Sequence, residues 1–304
     1  MSTGWNWSDP ARQEVPMIPP QETPTREATA TLRAYRADWV HFTQWCAEHA
    51  ISPIPAAPDG VAAYLRSLGR FAPATIRRRL AAIGKMHRFN GLAWDVTHPL
   101  IRAALAEMLE QARRPAQPAA VVTPAMLRAM SERCTDGVRG LRDRCLLLFG
   151  FAGALRRSEL VGLQVEDVRL TPQAVMLTVR DGHEAPTIAL PVAQERDLCP
   201  AAAFTAWQQV AHRQTGPLFR AISKGERVGG RALTPYAVTR ILQRRALMAE
   251  VPPATVARLS AHALRAGFIV EALRHGMDAT VLGQRTRYRD PRALRPYAEL
   301  LAHD

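Results

Sequence analysis

Between residue 25 and residue 112 apolar side chains recur every three or four positions, the spacing of helices that turn one face inward. Leu32, Tyr35, Trp39, Phe42 and Cys46 draw a first stripe. Asp59 offers an N-cap for a second helix whose inner side is Val61, Tyr64, Leu65 and Leu68. Ile76, Leu80 and Ile83 mark a third, and Ile101, Leu105 and Leu109 a fourth that follows Thr97-His98-Pro99. The periodicity then stops. Residues 113–122 hold the prolines and small residues of an extended linker, and Thr123-Pro124 supplies an N-cap with proline at the first helical position. Beyond it an apolar run over Leu146–Phe151 reads as helix, after which the period changes to two. Val175, Leu177 and Val179 alternate, Asp181-Gly182 has turn chemistry, and Ile188 and Leu190 alternate again before Pro191, so a small β-hairpin is expected inside a helical domain. Helices are expected again over 200–212, 234–248 and 261–275. The predicted fold is mainly α with a small β-hairpin or sheet, in two domains: a flexible segment 1–24, a helical domain 25–112, a linker 113–122 and a second domain 123–304. A length of 304 residues suits two cores rather than one.

Composition adds a partner. The chain has 40 Lys+Arg against 27 Asp+Glu, a formal charge of +13, and its only lysines are Lys85 and Lys224. Arginine grips phosphate oxygens with a planar fork and stays charged at any working pH, so an arginine-dominated basic chain suits nucleic acid. A GC-rich genome would also raise arginine, and charge alone does not separate the two. The third helix carries Arg77, Arg78, Arg79, Lys85 and Arg88, cations that repel one another unless a polyanion neutralises them, and phosphate contact is the expectation there. Cys46, Cys134, Cys145 and Cys199 lie far apart with no CxxC spacing, which favours reduced core thiols and a cytoplasmic protein over disulfides or a zinc site. Trp5 and Trp7 sit among polar residues and prolines, without the apolar stretch of a signal peptide. The apolar run Cys145–Leu155 is too short to cross a bilayer, so no membrane partner is expected.

Three segments hold candidate chemistry: Gly153-Ala154-Leu155-Arg156-Arg157-Ser158-Glu159-Leu160, then His262-Ala263-Leu264-Arg265-Ala266-Gly267-Phe268, then Gln284-Arg285-Thr286-Arg287-Tyr288, with Tyr297 nine residues further on. Attack on a phosphodiester builds negative charge on the non-bridging oxygens, and fixed cations such as Arg156 and Arg265 lower that barrier without a metal. Glu159 lies one helical turn after Arg156, where a carboxylate either orients the guanidinium or makes an ordinary surface pair. His262 shares a helix face with Arg265 and, with an intrinsic pKa of about 6.5, can move a proton near neutrality; otherwise it is a structural histidine. Tyr297 is the nucleophile candidate, a phenol of pKa about 10 that needs cations and a base to activate it. Tyr35 and Tyr64 fall on core stripes instead, and Tyr236 follows a helix-start proline.

In order and separation these segments resemble the successive boxes of the tyrosine recombinase (phage integrase) family, the Cre- and Xer-like site-specific recombinases. Leu198-Cys199-Pro200, Gly216-Pro217-Leu218-Phe219 and the helical region before residue 114 resemble their family counterparts too. The resemblance implies a helical SAM-like core DNA-binding domain joined to a mixed α/β catalytic domain. It implies strand cleavage and rejoining through a 3′-phosphotyrosyl intermediate with release of a 5′-hydroxyl, and no cofactor and no metal. The implied partners are a double-stranded recombination site and further copies of the chain, a dimer per site and a tetrameric synapse, with an accessory recombinase also possible.

The sequence departs from the family pattern in places that bear on chemistry. The hairpin lysine that protonates the leaving oxygen in relatives has no counterpart between Val175 and Pro191, where the candidates are Arg180 and His183. Arginine holds its proton too tightly to be a good acid, so His183 is the better donor and Arg180 supplies charge; slow cleavage is expected. Tyr288 stands where the family has His or Trp, as a hydrogen-bond donor to phosphate or as a packing residue. Pro296 is expected to push Arg295 out of helical geometry and start a short new helix at the nucleophile. The missing lysine keeps open a catalytically weakened relative that binds a DNA site as an accessory subunit; relaxation of supercoils in the manner of a type IB topoisomerase would use the same chemistry, but the compact helical N-terminal domain resembles a recombinase DNA clamp.

Overall fold

The computed structural model describes residues 26–111, 120–135, 137–180, 185–288 and 290–301, with side chains from residue 34 onward except at Pro291. The chain divides into two compact units, one spanning Pro24–Pro118 and one containing Ala119–Asp304. The segment 1–24, the linker residues 113–119, the side chain of Leu32, the Asp181-Gly182 turn and His183 lie outside the described residues.

The first unit holds four helices, α1 (Arg26–Glu48), α2 (Pro58–Arg66), α3 (Pro73–Phe89) and α4 (Pro99–Gln111). Helix α1 packs on α3 and α2 on α4, and the apolar stripes meet in one core around Phe42, Cys46, Tyr64, Leu65, Ile76 and Ile83. Helix α4 presents Ile101, Ala104 and Met108 to it, with Leu105 and Leu109 half-buried on the flank. Asp59 is not the N-cap of α2. Ala57 takes that place and Pro58 begins the helix, which leaves Asp59 in the first turn, accepting from the Gly60 N–H at 2.9 Å. Proline's fixed φ pre-sets the helix start and outweighs the capping preference of the residue after it.

The second unit is built on α6 (Gly137–Ala152), reached through α5 (Pro124–Glu132), whose N-cap Thr123 accepts from Met126 N–H at 3.2 Å. From Cys145 to Ala152 α6 is buried on every side, including Leu146, Leu147, Leu148, Phe149 and Phe151. Such a helix must be enclosed by other elements. After it come α7 (Arg157–Gly162), β1 (Val168–Leu170), β2 (Ala174–Thr178), β3 (Thr187–Pro191) and α8 (Pro200–Ala211). The strands β4 (Arg220–Ile222) and β5 (Val228–Ala232) then lead to α9 (Pro235–Met248), α10 (Pro253–Arg258), α11 (His262–Arg274), α12 (Ala279–Thr286) and α13 (Arg295–Leu301). Helices α8 and α11 both pack on α6.

The expected hairpin is part of an antiparallel three-stranded meander, β1-β2-β3, with Leu177 opposite both Val168 and Ile188 and Val175 opposite Leu190. The end of the expected linker is not free chain. Ala120 and Val122 are buried, and the Val122 N–H donates to Ala263 O at 3.0 Å. Gly267 makes this approach possible, since a Cβ there would stand 1.9 Å from Val122 O. Among the described residues no helix is long and apolar enough to cross a membrane.

Candidate functional site

Helix α6 ends at a tight turn in which Ala154 takes a positive φ of 44°. The chain then passes Leu155, buried at 1% exposure, into Arg156, which is extended (φ −66°, ψ 151°) and caps α7. Glu159, at the third position of that helix, reaches back to accept the Arg156 N–H at 2.6 Å and Nη1 of the Arg156 guanidinium at 3.0 Å. This is the carboxylate half of a capping box, and it orients the cap's own side chain as well. Glu159 is buried and accepts from a second guanidinium, that of Arg287, at 2.7 Å. It is therefore no surface pair.

Helix α11 delivers the next two residues. Arg265 is 1% exposed, donates to Ala154 O at 2.7 Å and to Thr286 O, and lies over the Tyr288 ring at 4.5 Å. His262, in the first turn, sits at the edge of the unit, and its Nε2 is 2.7 Å from the Tyr297 hydroxyl. The Tyr288 hydroxyl lies 3.1 Å from that same oxygen. Arg156, Arg265, His262 and Tyr288, with Arg157, Ser158, Ser260 and Ala261, line an open pocket of about 380 Å3. The loop before His262 is held by α9: Thr239 accepts the Ala261 N–H at 3.1 Å and Gln243 donates to Leu259 O at 3.0 Å.

Tyr297 arrives on α13. Arg295 is helical (φ −52°, ψ −46°) despite the proline after it. The 3-10 turn Pro291–Leu294 already sets the chain on a helical course, and this local winding overrides the bias that Pro296 imposes. Burial holds the Tyr297 phenol well above its ordinary pKa, the hydrogen bond and charge of Tyr288 push the same way, and Arg265 pulls against them. Burial lowers the His262 pKa, and the positive charge of Arg265 lowers it further. Together these put a neutral phenol against a neutral imidazole, the pair from which a proton can pass to Nε2 as the phenol oxygen attacks.

Two groups of expected residues are placed differently. Arg180 leaves β2 and binds Asp167, a 4% exposed carboxylate, with Nε at 2.9 Å and Nη2 at 2.5 Å. That contact raises its pKa further, so it is a poorer acid still. On α3, Arg77, Arg78, Lys85 and Arg88 are exposed, but Arg79 is not. Its guanidinium is buried over the Phe71 ring at 4.0 Å, 3.0 Å from His41 and 3.6 Å from Asp38. Arg79 is thus removed from the phosphate-contact set. Consecutive helical residues are rotated by roughly 100°, so Arg77 and Arg79 cannot share a face. Arg78 also pairs with Asp38, at 2.7 and 3.0 Å. Sequence reasoning missed Arg287, whose link to Glu159 spans 128 positions and has no periodic signal.

The phage integrase family profile matches residues 120–303, and the chain belongs to that family. An integrase/recombinase xerD homolog of Selenomonas ruminantium is 31% identical over 286 residues, 90% of this chain and 82% of its own length. The tyrosine recombinase XerC of Myxococcus xanthus is 27% identical over 82% of this chain and 79% of its own. Among solved structures, the XerH site-specific recombinase bound to palindromic difH substrate in a post-cleavage complex has a TM-score of 0.62 at 14% identity, covering 88% of this chain and 76% of that one. A lambda integrase dimer bound to a COC′ core site has a TM-score of 0.54 at 13% identity, covering 88% of each chain. These two share its fold.

Proposed function

We propose that this protein is a site-specific recombinase that cleaves and rejoins double-stranded DNA through a phosphotyrosyl bond at Tyr297. The observation that carries the reading is the 2.7 Å contact between Tyr297 and His262 at the rim of a pocket lined by Arg156 and Arg265. The Tyr297 oxygen attacks the scissile phosphorus while His262 Nε2 takes its proton. Arg156 and Arg265 neutralise the charge that grows on the non-bridging oxygens. The bond to the 5′ oxygen breaks and that oxygen takes a proton from solvent, leaving a 3′-phosphotyrosine and a 5′-hydroxyl; a 5′-hydroxyl from the partner strand reverses the step, losing its proton to solvent while His262 returns the first proton to the Tyr297 oxygen. Tyr288 serves as a hydrogen-bond donor to the reacting oxygens. Residues 25–112 act as the core DNA-binding domain, with Arg77, Arg78, Lys85 and Arg88 on phosphates, and 123–304 as the catalytic domain. Two copies occupy a site and four form the synapse. Four buried free thiols suit a reducing compartment, and the cytoplasm is the proposed location.

The test is a nicked duplex carrying the site that the protein footprints in the DNA beside its own gene. A denaturation-resistant adduct that maps by peptide sequencing to Tyr297 is the expected result. Binding without any adduct would instead favour the accessory-subunit reading, which the tie of Arg180 to Asp167 supports.

Two measurements probe the proton transfers. Arg180 is committed to Asp167, and neither it nor His183, which lies outside the described residues, is expected to replace a lysine fully as the acid for the leaving 5′ oxygen. Replacing that oxygen by sulfur, whose thiolate leaves without a proton, is expected to speed single-turnover cleavage by about 10^2-fold, the lower end of what general acids contribute. A ratio near one would mean that the chain does supply an acid. The lowered pKa of His262 favours its neutral, proton-accepting form. The cleavage rate should therefore hold steady as pH falls to about 6.5, histidine's ordinary pKa, and decline only below it. An acid limb centred above 6.5 contradicts His262 as the base.

A further inference from the structure

We propose that Arg287 is the positioning residue that fixes the Arg156 guanidinium for the scissile phosphate, an inference that rests on the reading of Arg156 as a phosphate ligand. Arg287 closes α12 in the left-handed region, at φ 57° and ψ 37°. A side chain other than glycine persists there only where its surroundings hold it. Here they do. Its side chain, 7% exposed, donates from Nε to Glu159 Oε1 at 3.2 Å, from Nη2 to Glu159 Oε2 at 2.7 Å and to Ala154 O at 3.0 Å, and from Nη1 to Arg285 O at 2.8 Å.

Two routes lead from Arg287 to Arg156. The first is Glu159, which accepts the Arg156 N–H and Nη1. The second is the Arg287 carbonyl, which accepts Arg156 Nη2 at 2.7 Å. The left-handed backbone aims that carbonyl, so conformation and contact have one cause. Arg287 also divides the charge of Glu159. A carboxylate facing Arg156 alone would compete with a phosphate for it; shared with a second guanidinium, it orients Arg156 and leaves more of its positive charge for the pocket. Arg287 itself is not among the residues lining the pocket, so it acts through Arg156.

The test uses single-turnover cleavage of the nicked duplex with either a natural scissile phosphate or a methylphosphonate, in which one charged non-bridging oxygen becomes an uncharged methyl group. Arg287→Gly keeps the left-handed backbone accessible and removes the guanidinium. It is expected to cleave the natural phosphate about 10–100-fold more slowly, the scale on which outer partners of metal ligands act, with unchanged affinity for the duplex. On the methylphosphonate, where less charge needs neutralising, the gap to the parent protein should close. The double variant R156A/R287G should be no slower than R156A alone. Full activity in Arg287→Gly, an equal defect on both substrates or an additive double variant would overturn the proposal. If R156A itself cleaves at the parent rate, the reading of Arg156 fails instead. Should Arg287→Gly not fold, Arg287→Lys, which keeps the charge and loses the fork, gives the same comparison.

Discussion

Tyr297→Phe is expected to bind its DNA site with unchanged affinity and to form no adduct, with cleavage reduced by at least ~10^4-fold, a scale in keeping with what hydrolases lose when a nucleophile is removed. The substitution deletes one oxygen. That oxygen's contacts are His262 at 2.7 Å and Tyr288 at 3.1 Å, at the edge of the core, so the fold is expected to survive its loss. Tyr288→Phe is the informative contrast. It removes a hydroxyl from the same hydrogen-bonded chain yet leaves Tyr297 and His262 paired, so it should lower the rate by roughly 10^2-fold, as loss of one donor to a reacting oxygen does, and the adduct should still form. An adduct that survives in Tyr297→Phe would move the nucleophile to another residue, and Tyr288 is the phenol within reach.

The second large effect is on stability. Asp143 is fully buried in α6 and accepts from three arginines: Arg142 Nε at 2.8 Å, Arg244 Nη2 at 2.6 Å and Arg245 Nε at 2.8 Å. Arg245 is itself fully buried. Asp143→Asn keeps the shape and removes the charge, leaving Arg142 and Arg245 in the interior without their counter-ion. Removing one partner of a buried ionic group costs about 3–5 kcal/mol. For a unit of this size each kcal/mol moves Tm by roughly 2–4 °C, so calorimetry should show a drop of about 10 °C. A double change to apolar residues, Asp143→Leu with Arg245→Met, should cost less than Asp143→Asn, because it removes the desolvated charges together. A loss in Asp143→Asn below about 1 kcal/mol would mean that water or the remaining side chains compensate. Arg244 and Arg245 lie on α9, whose Thr239 and Gln243 hold the loop before His262, so cleavage should weaken along with stability.

Much of the fold and of the site is legible in the amino-acid sequence. The 3.6-residue stripes of α2 and α3, the Thr-Pro starts of α5 and α9 and the alternation in β2 and β3 are local signals, and each forms the expected element. The arginines, the histidine and the tyrosines stand out by residue type and spacing, and the fold brings Arg156, Arg265, His262, Tyr288 and Tyr297 together. What stays hidden depends on distance or on backbone geometry. Arg79 sits among exposed cations in the sequence but turns inward, because adjacency along a helix is not adjacency on a face. Arg287 carries no pattern, since its partners Ala154 and Glu159 lie more than a hundred positions away. The strands β4 and β5 escape notice because Val228-Gly229-Gly230-Arg231-Ala232 is half-buried at best, and a largely exposed strand has no apolar face to announce it.

The Ala154 carbonyl at the end of α6 receives both Arg265 and Arg287. Two guanidiniums thus hang from the turn that ends the helix at the heart of its unit. Loosening them requires disturbing that helix, and the helix cannot be disturbed without opening the core. Arg265 is then expected to leave its place only when the core opens, whereas Tyr297, on a helix with no buried residue, can leave the site while the core holds.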